Sequence, residues 1–435
     1  MQLKNWQTLP PDERAAALAR PALRGDAALA TRVAEIVAQV RAEGDAALRR
    51  LTRELDGVEL DSLECSPDDF AAAEVALTEP QRAAIRAAAA NIDAFHRPQL
   101  PRAFAVDTAP GVRCERVVRP LESVGLYVPA GNAPLPSTAL MLGVPARIAG
   151  CPTRIMCSPA QRGTGRVDAA VLYAARVAGI ERVFKLGGAQ AIAALAYGTE
   201  SVPKVEKIFG PGNAWVTEAK AQVDRDPAGA ARDYPAGPSE VLVIADETAN
   251  PAFVAADLLS QAEHGADSQV LLVTTSEALG KAVVEAVAEQ KARLSRGTLV
   301  DGALAHSSVI VVGDLDTAFE ISNRYAPEHL ILQIAEPRAW LDKVRAAGSV
   351  FLGPWTPESV GDYCSGTNHV LPTYGFAKRY SSLGVADFVR SMTVQELTYE
   401  GLRAIGPIAT TLASLEGLDA HARAVDERLE SGGPR

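Results

Sequence analysis

Residues 122–150 read ESVGLYVPAGNAPLPSTALMLGVPARIAG. A short run of strand-forming residues enters a turn rich in proline and glycine, and an amphipathic stretch follows. The same unit recurs. RIMCSP, RVFKLGG and KIFGPG are short apolar runs that each end in small residues. EVLVIADE, QVLLVTT, SVIVVGD and GSVFLG carry the pattern to about residue 353. Strands that alternate with helices pair in parallel, because each crossover helix returns the chain to the same edge. There are enough units for two sheets.

Residues 11–100 read as helices. TRVAEIVAQVRAEGDAALRRLTREL (31–55) and EPQRAAIRAAAANIDAFH (79–96) have apolar residues three and four apart. The chain turns helical again after 380. The expected fold is therefore α/β, with two parallel-sheet Rossmann-like domains, a helical N-terminal segment and a helical C-terminal tail. The boundaries expected are 1–28 for the N-terminal segment, 29–115 with 239–380 for the first domain, 116–238 for the second, and 381–435 for the tail. That tail is too short to bury much alone, so it should dock on something.

Composition narrows the function. The 435 residues suffice for about two to four domains. A formal net charge of −10 disfavours nucleic acid and anionic membrane surfaces as partners. The five cysteines, Cys65, Cys114, Cys151, Cys157 and Cys364, form no CxxC, which argues against a cysteine-rich zinc site and fits a reducing compartment. No signal-peptide core and no long apolar run occurs, so a cytoplasmic location is expected.

Three turns could receive a phosphate-bearing ligand: VPAGNAP (128–134), LGGAQA (186–191) and GPGNAW (210–215). Glycine lets a phosphate approach the backbone, and the following helix N-terminus offers N–H donors. No GxGxxG occurs; Trp215 stands where its third glycine would be. Each turn alone is equally compatible with a purely structural role.

Two of the six histidines sit beside glutamates: Glu328-His329 in RYAPEHLIL (324–332), and Glu263-His264 in LLSQAEHG (258–265). The first pair lies where a strand begins and suits general acid–base chemistry. In the second, Gln261 and His264 share one face at a helix end. That spacing admits either ligation of one metal or simple capping. Asp362 and His369 lie in the turn-rich segment 358–375, as a metal or substrate site or as a solvated loop. Glu416 and His421 lie near the start of a helix whose exposed face would also explain them.

Together these segments are more specific than any one of them. RPLESVGLYVPAGNAPLPSTALML, GGAQAIAALAYGTESVPKVEKIFGPGNAWVTEAK, AGPSEVLVIAD, DLLSQAEHG, YAPEHLIL, SVGDYCSGTNHVLPT and SSLGVADF resemble the histidinol dehydrogenase family, in the same order and over nearly the whole chain. The resemblance implies oxidation of L-histidinol to L-histidine through histidinal, with one zinc per subunit and two NAD per turnover. It implies that Gln261, His264 and Asp362 hold the zinc with His421, which the other subunit of an intertwined homodimer donates from its tail. Glu328 and His329 become the catalytic pair. Ser239, His369 and Glu416 become substrate contacts, with the metal ligands and the catalytic pair also facing substrate. Tyr127, Gln190 and Asn213 become cofactor contacts, which places NAD on the 116–238 side and the zinc and catalytic residues on the other. Ala266 and Ala326 depart from the family pattern, where proline or glycine is common. The alternative is a related zinc- and NAD-dependent dehydrogenase of another polar alcohol, such as a sulfonated diol. A zinc hydrolase and a non-enzymatic ligand-binding protein fit the residues less well.

Overall fold

The computed structural model describes residues 1–21, 27–130, 133–235, 237–295 and 297–433. Residues 22–26 of the expected N-terminal segment, and Gly131 and Asn132 of the 128–134 turn, lie outside the described residues.

The apolar runs form two parallel sheets. The large sheet has six strands in the order Gln2–Asn5, Ser308–Val311, Gln269–Thr274, Glu240–Ala245, His329–Gln333 and Ser349–Leu352. Its inner strands are buried on both faces, which is why they read as continuous apolar runs rather than alternating ones. The small sheet has five strands in the order Arg182–Phe184, Thr153–Cys157, Ser123–Tyr127, Lys207–Phe209 and Ala231–Arg232. A third, antiparallel sheet joins Val389–Leu397, Val112–Pro120 and Phe104–Ala109.

Three placements correct the sequence reading. The chain opens with the strand Gln2–Asn5 on the edge of the large sheet, so the first segment is not purely helical. Helices Ala27–Glu43 and Asp45–Leu51 bury Val33, Ile36, Val40 and Leu48 against Ile155, Phe184 and Ala191, in the layer around the small sheet. Helices Pro67–Ala76 and Glu79–His96 pack on the other side of that sheet, with Ile92 beside Met141 and Leu142. Residues 27–96 thus wrap the 116–238 unit and not the large sheet. The periodicity showed which helix face is buried but not what covers it. Finally, the tail begins with the strand Val389–Leu397 before its helices Tyr399–Leu415 and Asp419–Glu430.

At Gly210 the turn after Lys207–Phe209 passes close to the neighbouring strand. Its φ is +123°, and a Cβ there would lie 2.1 Å from the Tyr127 carbonyl oxygen. Gly150 also has a positive φ, +86°, but nothing within 4 Å of a Cβ. The backbone strain alone costs about 1–3 kcal/mol at either site. Gly210→Ala should therefore lower the denaturation midpoint clearly more than Gly150→Ala. Equal losses would show that the close approach at Gly210 does not constrain the turn.

Candidate active site

The ends that the two sheets turn toward each other decide the site. Glu240 and His329 begin adjacent strands of the large sheet, and His329 pairs in register with Val241. Glu328 and His329 therefore lie at the amino ends of those strands. The carboxyl end of the small sheet faces them. A cleft between the two is lined by Gly210, Gly212, Ser239, Glu328 and His369.

Successive strand residues point to opposite faces, but Glu328 precedes the strand and turns back into the cleft. Its Oε2 accepts from the Glu240 N–H at 2.8 Å. The His329 Nδ1 lies 3.1 Å from the Glu240 carbonyl oxygen. Nδ1 is therefore the protonated nitrogen of the neutral ring, which leaves Nε2 to accept a proton. Nε2 is buried without a hydrogen-bond partner and lies 3.4 Å from Asp362 Oδ1. Burial pushes Glu328 up to about 8, against the pull of His329. Burial would lower His329, but Glu358, Glu328 and Asp362 outweigh it and hold the ring well above its usual range.

Helix Pro251–Ala262 carries Gln261, and His264 follows just past its end. Helix Glu358–Tyr363 carries Asp362, so the 358–375 segment is not simply a loop. The ligand atoms of His264, Glu358 and Asp362 lie within 4.8 Å of one another. Gln261 is 1 % exposed. With its amide oriented so that both ends are satisfied, its nitrogen donates to Glu358 Oε2 at 3.1 Å and its oxygen accepts from Glu240 N at 3.2 Å. Burial pushes Glu358 up to about 8, and the neighbouring Asp362 and Asp257 add to the rise while His329 opposes it. Burial also pushes Asp257, one turn before Gln261, up to about 6.

His369 reaches the same cleft and lies 3.3 Å from Thr138 Oγ1. Ser239 lines the cleft. Tyr127 is buried, and its hydroxyl accepts from Gly188 N at 3.0 Å. Gln190 is buried and donates to Asp56 at 3.0 Å, while its Oε1 has no partner. Asn213 is exposed and caps helix Ala214–Arg225, accepting from Trp215 N and Val216 N. These three sit at the carboxyl end of the small sheet. Glu416 and His421 are exposed on the tail, where helices Tyr399–Leu415 and Asp419–Glu430 pack mainly on each other, away from the described cluster. Glu358 and Asp257 were missed in the sequence. An acid at a helix start reads as favourable dipole chemistry, and nothing marks its burial.

Facing sheets, glycine turns and a buried Glu-His pair beside a cluster able to hold a cation fit an α/β enzyme better than a simple binding protein. The family model for histidinol dehydrogenase matches residues 19–429. A histidinol dehydrogenase from Xanthomonas campestris pv. campestris is 58% identical over 99% of each chain. One from Vibrio vulnificus is 54% identical over 98% of this chain and 97% of its own. The crystal structure of histidinol dehydrogenase from Elizabethkingia anophelis matches with a TM-score of 0.95 at 44% identity, covering 99% of this chain and 98% of that one. The chain belongs to the histidinol dehydrogenase family, and is an oxidoreductase acting on histidinol in histidine biosynthesis. Among the described residues, no helix is long and apolar enough to cross a membrane.

The Asp257 environment yields a prediction for metal-free protein. Between about pH 4 and 6 the folded state holds a proton that the unfolded state has released. Stability from this group therefore falls as pH rises through that window. Asp257→Asn should raise the melting temperature of chelator-treated protein at pH 7, and the gain should vanish below about pH 4. A gain of the same size at both pH values would contradict this.

Proposed function

We propose that the cleft oxidises L-histidinol to L-histidine in two steps through histidinal, using one zinc per subunit and two NAD. The carrying observation is the cluster of His264, Glu358 and Asp362, whose ligand atoms lie within 4.8 Å of one another, directly beside Glu328 and His329. A divalent cation would offset the charge of the two carboxylates in this set. Gln261, His264 and Asp362 would hold zinc, with Glu358 close by. When bound, zinc supplies a fixed positive charge that orients and polarises substrate, and NAD accepts hydride. The orphaned Gln190 Oε1 and the Gly210–Gly212 turn support NAD on the small-sheet side, with Tyr127 and Asn213 shaping its turns.

Within that frame the chain's own groups divide the work. His329 Nε2 removes the alcohol proton, and the Glu240 carbonyl holds the ring in the required tautomer. Glu328, raised close to working pH, takes a proton from water to hydrate the aldehyde. The hydrate again carries a hydroxyl within reach of His329, so one site performs both oxidations. The buried carboxylates favour an amine- and imidazole-bearing substrate over the alternative, a sulfonated diol. His369 and Ser239 complete the substrate wall.

The last ligand would come from a second copy. Helix Tyr399–Leu415 exposes Ile408, Leu412 and Leu415 on one face, the last at 79 %. Near the cluster, Phe253, Trp355, Val360 and Tyr363 are also exposed. We infer a homodimer in which the tail covers the partner's apolar rim, bringing His421 to the zinc and Glu416 to the substrate.

Limiting L-histidinol with excess NAD should yield two NADH per substrate, with loss on chelation and recovery with zinc. One NADH per substrate would contradict a double oxidation, and none would favour another polar alcohol. Mixing His421→Asn chains with Glu328→Gln/His329→Ala chains should restore activity by rebuilding one complete site per heterodimer. No recovery would place the tail's action within its own chain.

A further inference from the structure

The acid–base pair hangs on a residue that takes no part in the proposed chemistry. Glu240 opens the strand Glu240–Ala245 beside Ser239. Its N–H binds Glu328 and its carbonyl faces His329, as above, so one residue's backbone fixes both groups. Its carboxylate, 1 % exposed, reaches the other way. There it accepts from Tyr374 N at 2.8 Å and from both arms of Arg20, with Nη2–Oε2 at 2.9 Å.

Arg20 ties this strand to the turn that presents the pair. Its Nη2 also donates to the Tyr325 carbonyl at 2.8 Å and the Ala326 carbonyl at 3.4 Å. These carbonyls lie just before Pro327 and Glu328. The guanidinium sits 3.8 Å from the centre of the Tyr325 ring. That ring is itself anchored, because its hydroxyl donates to Gln269 Oε1 at 2.8 Å. Ala326 has φ +54° and Tyr374 has φ +56°, two of the three non-glycine residues with positive φ among those described. Both touch this network. Strained backbone persists where its surroundings over-determine it, and it gathers at functional sites. Stability alone is a poor reason for the pair, since a buried ion pair can often be replaced by apolar residues without loss. A fixed geometry is the better reason.

We propose that Arg20 and Glu240 are positioning residues: their ion pair locks the strand start against the Tyr325–Pro327 turn and so aims Glu328 and His329. The proposal rests on the reading of Glu328 and His329 as the acid–base pair.

The test uses the zinc-loaded full chain with Arg20→Lys, Arg20→Ala and Glu240→Gln, beside Glu328→Gln and His329→Ala as references. A displacement of about 1 Å at reacting groups can cost about 100-fold in rate. We expect kcat in Arg20→Ala and Glu240→Gln to fall by roughly 10- to 100-fold on that scale, with zinc content and KM for L-histidinol little changed. Arg20→Lys should fall between, and added guanidinium should restore part of the Arg20→Ala activity. Unchanged kcat with only a lower melting temperature would overturn the proposal. So would a raised KM at unchanged kcat. If Arg20→Ala does not fold, Arg20→Lys and Glu240→Gln carry the same readout. Full activity in both reference variants would overturn the acid–base reading, and this proposal with it. Loss in the references but not in the Arg20 and Glu240 variants would overturn this proposal alone.

Discussion

Taking an ionised carboxylate out of water costs several kcal/mol unless an opposite charge goes with it. At the amino end of the large sheet, Glu328, Glu358 and Asp362 gather around His329, with His264 beside Glu358 and Asp362. One imidazolium cannot neutralise that set. Protonation relieves part of it, which is why Glu328 and Glu358 rise to about 8. A divalent cation would relieve more of it, and would share with His329 the role of local positive charge. In the account proposed above, the same ion that makes the cluster tolerable also leaves the imidazole free to accept a proton.

The arrangement of the sheets explains where this happens. Ligands in open parallel sheets usually sit beyond the carboxyl ends of the strands. The small sheet follows that rule, with its glycine turns at the cleft. The large sheet presents its amino end instead, so Glu240, Glu328 and His329 face those turns. One sheet can thus offer turns for a cofactor while the other supplies the acid–base groups, with the substrate between. The helices of residues 27–96 pack around the small sheet, and the N-terminal strand joins the large one. The chain therefore crosses between the two bodies more than once, and Arg20 lies on one such crossing.

Much of this was legible beforehand, for stated reasons. EVLVIADE and QVLLVTT read as strands because both their faces are buried. His264, Glu328 and His329 stand out because acids and imidazoles beside apolar runs are costly without a purpose, and Gln261 because it shares a helix face with His264. Other features left no mark in the chain. QLKN is a four-residue edge strand with little burial, so it carries no periodic signal. The stripe of Val33, Ile36 and Val40 announced a helix but not its partner. The strand at 389–397 is exposed along most of its length and is held by pairing with 112–120 rather than by an apolar face. Glu358 and Arg20 belong to no local pattern; only the fold brings them to the site. Tyr127, Gln190 and Asn213 are marked only by the family resemblance, since their spacing alone conveys no such role.

The most direct test of the account is where a metal binds. Crystals grown with zinc and measured on both sides of its absorption edge would show one anomalous peak per subunit. The account places that peak among Gln261, His264 and Asp362, within reach of Glu358, with His421 of the partner subunit completing the shell. A site without a peak, with the Gln261 amide turned to donate to Glu358, would contradict it.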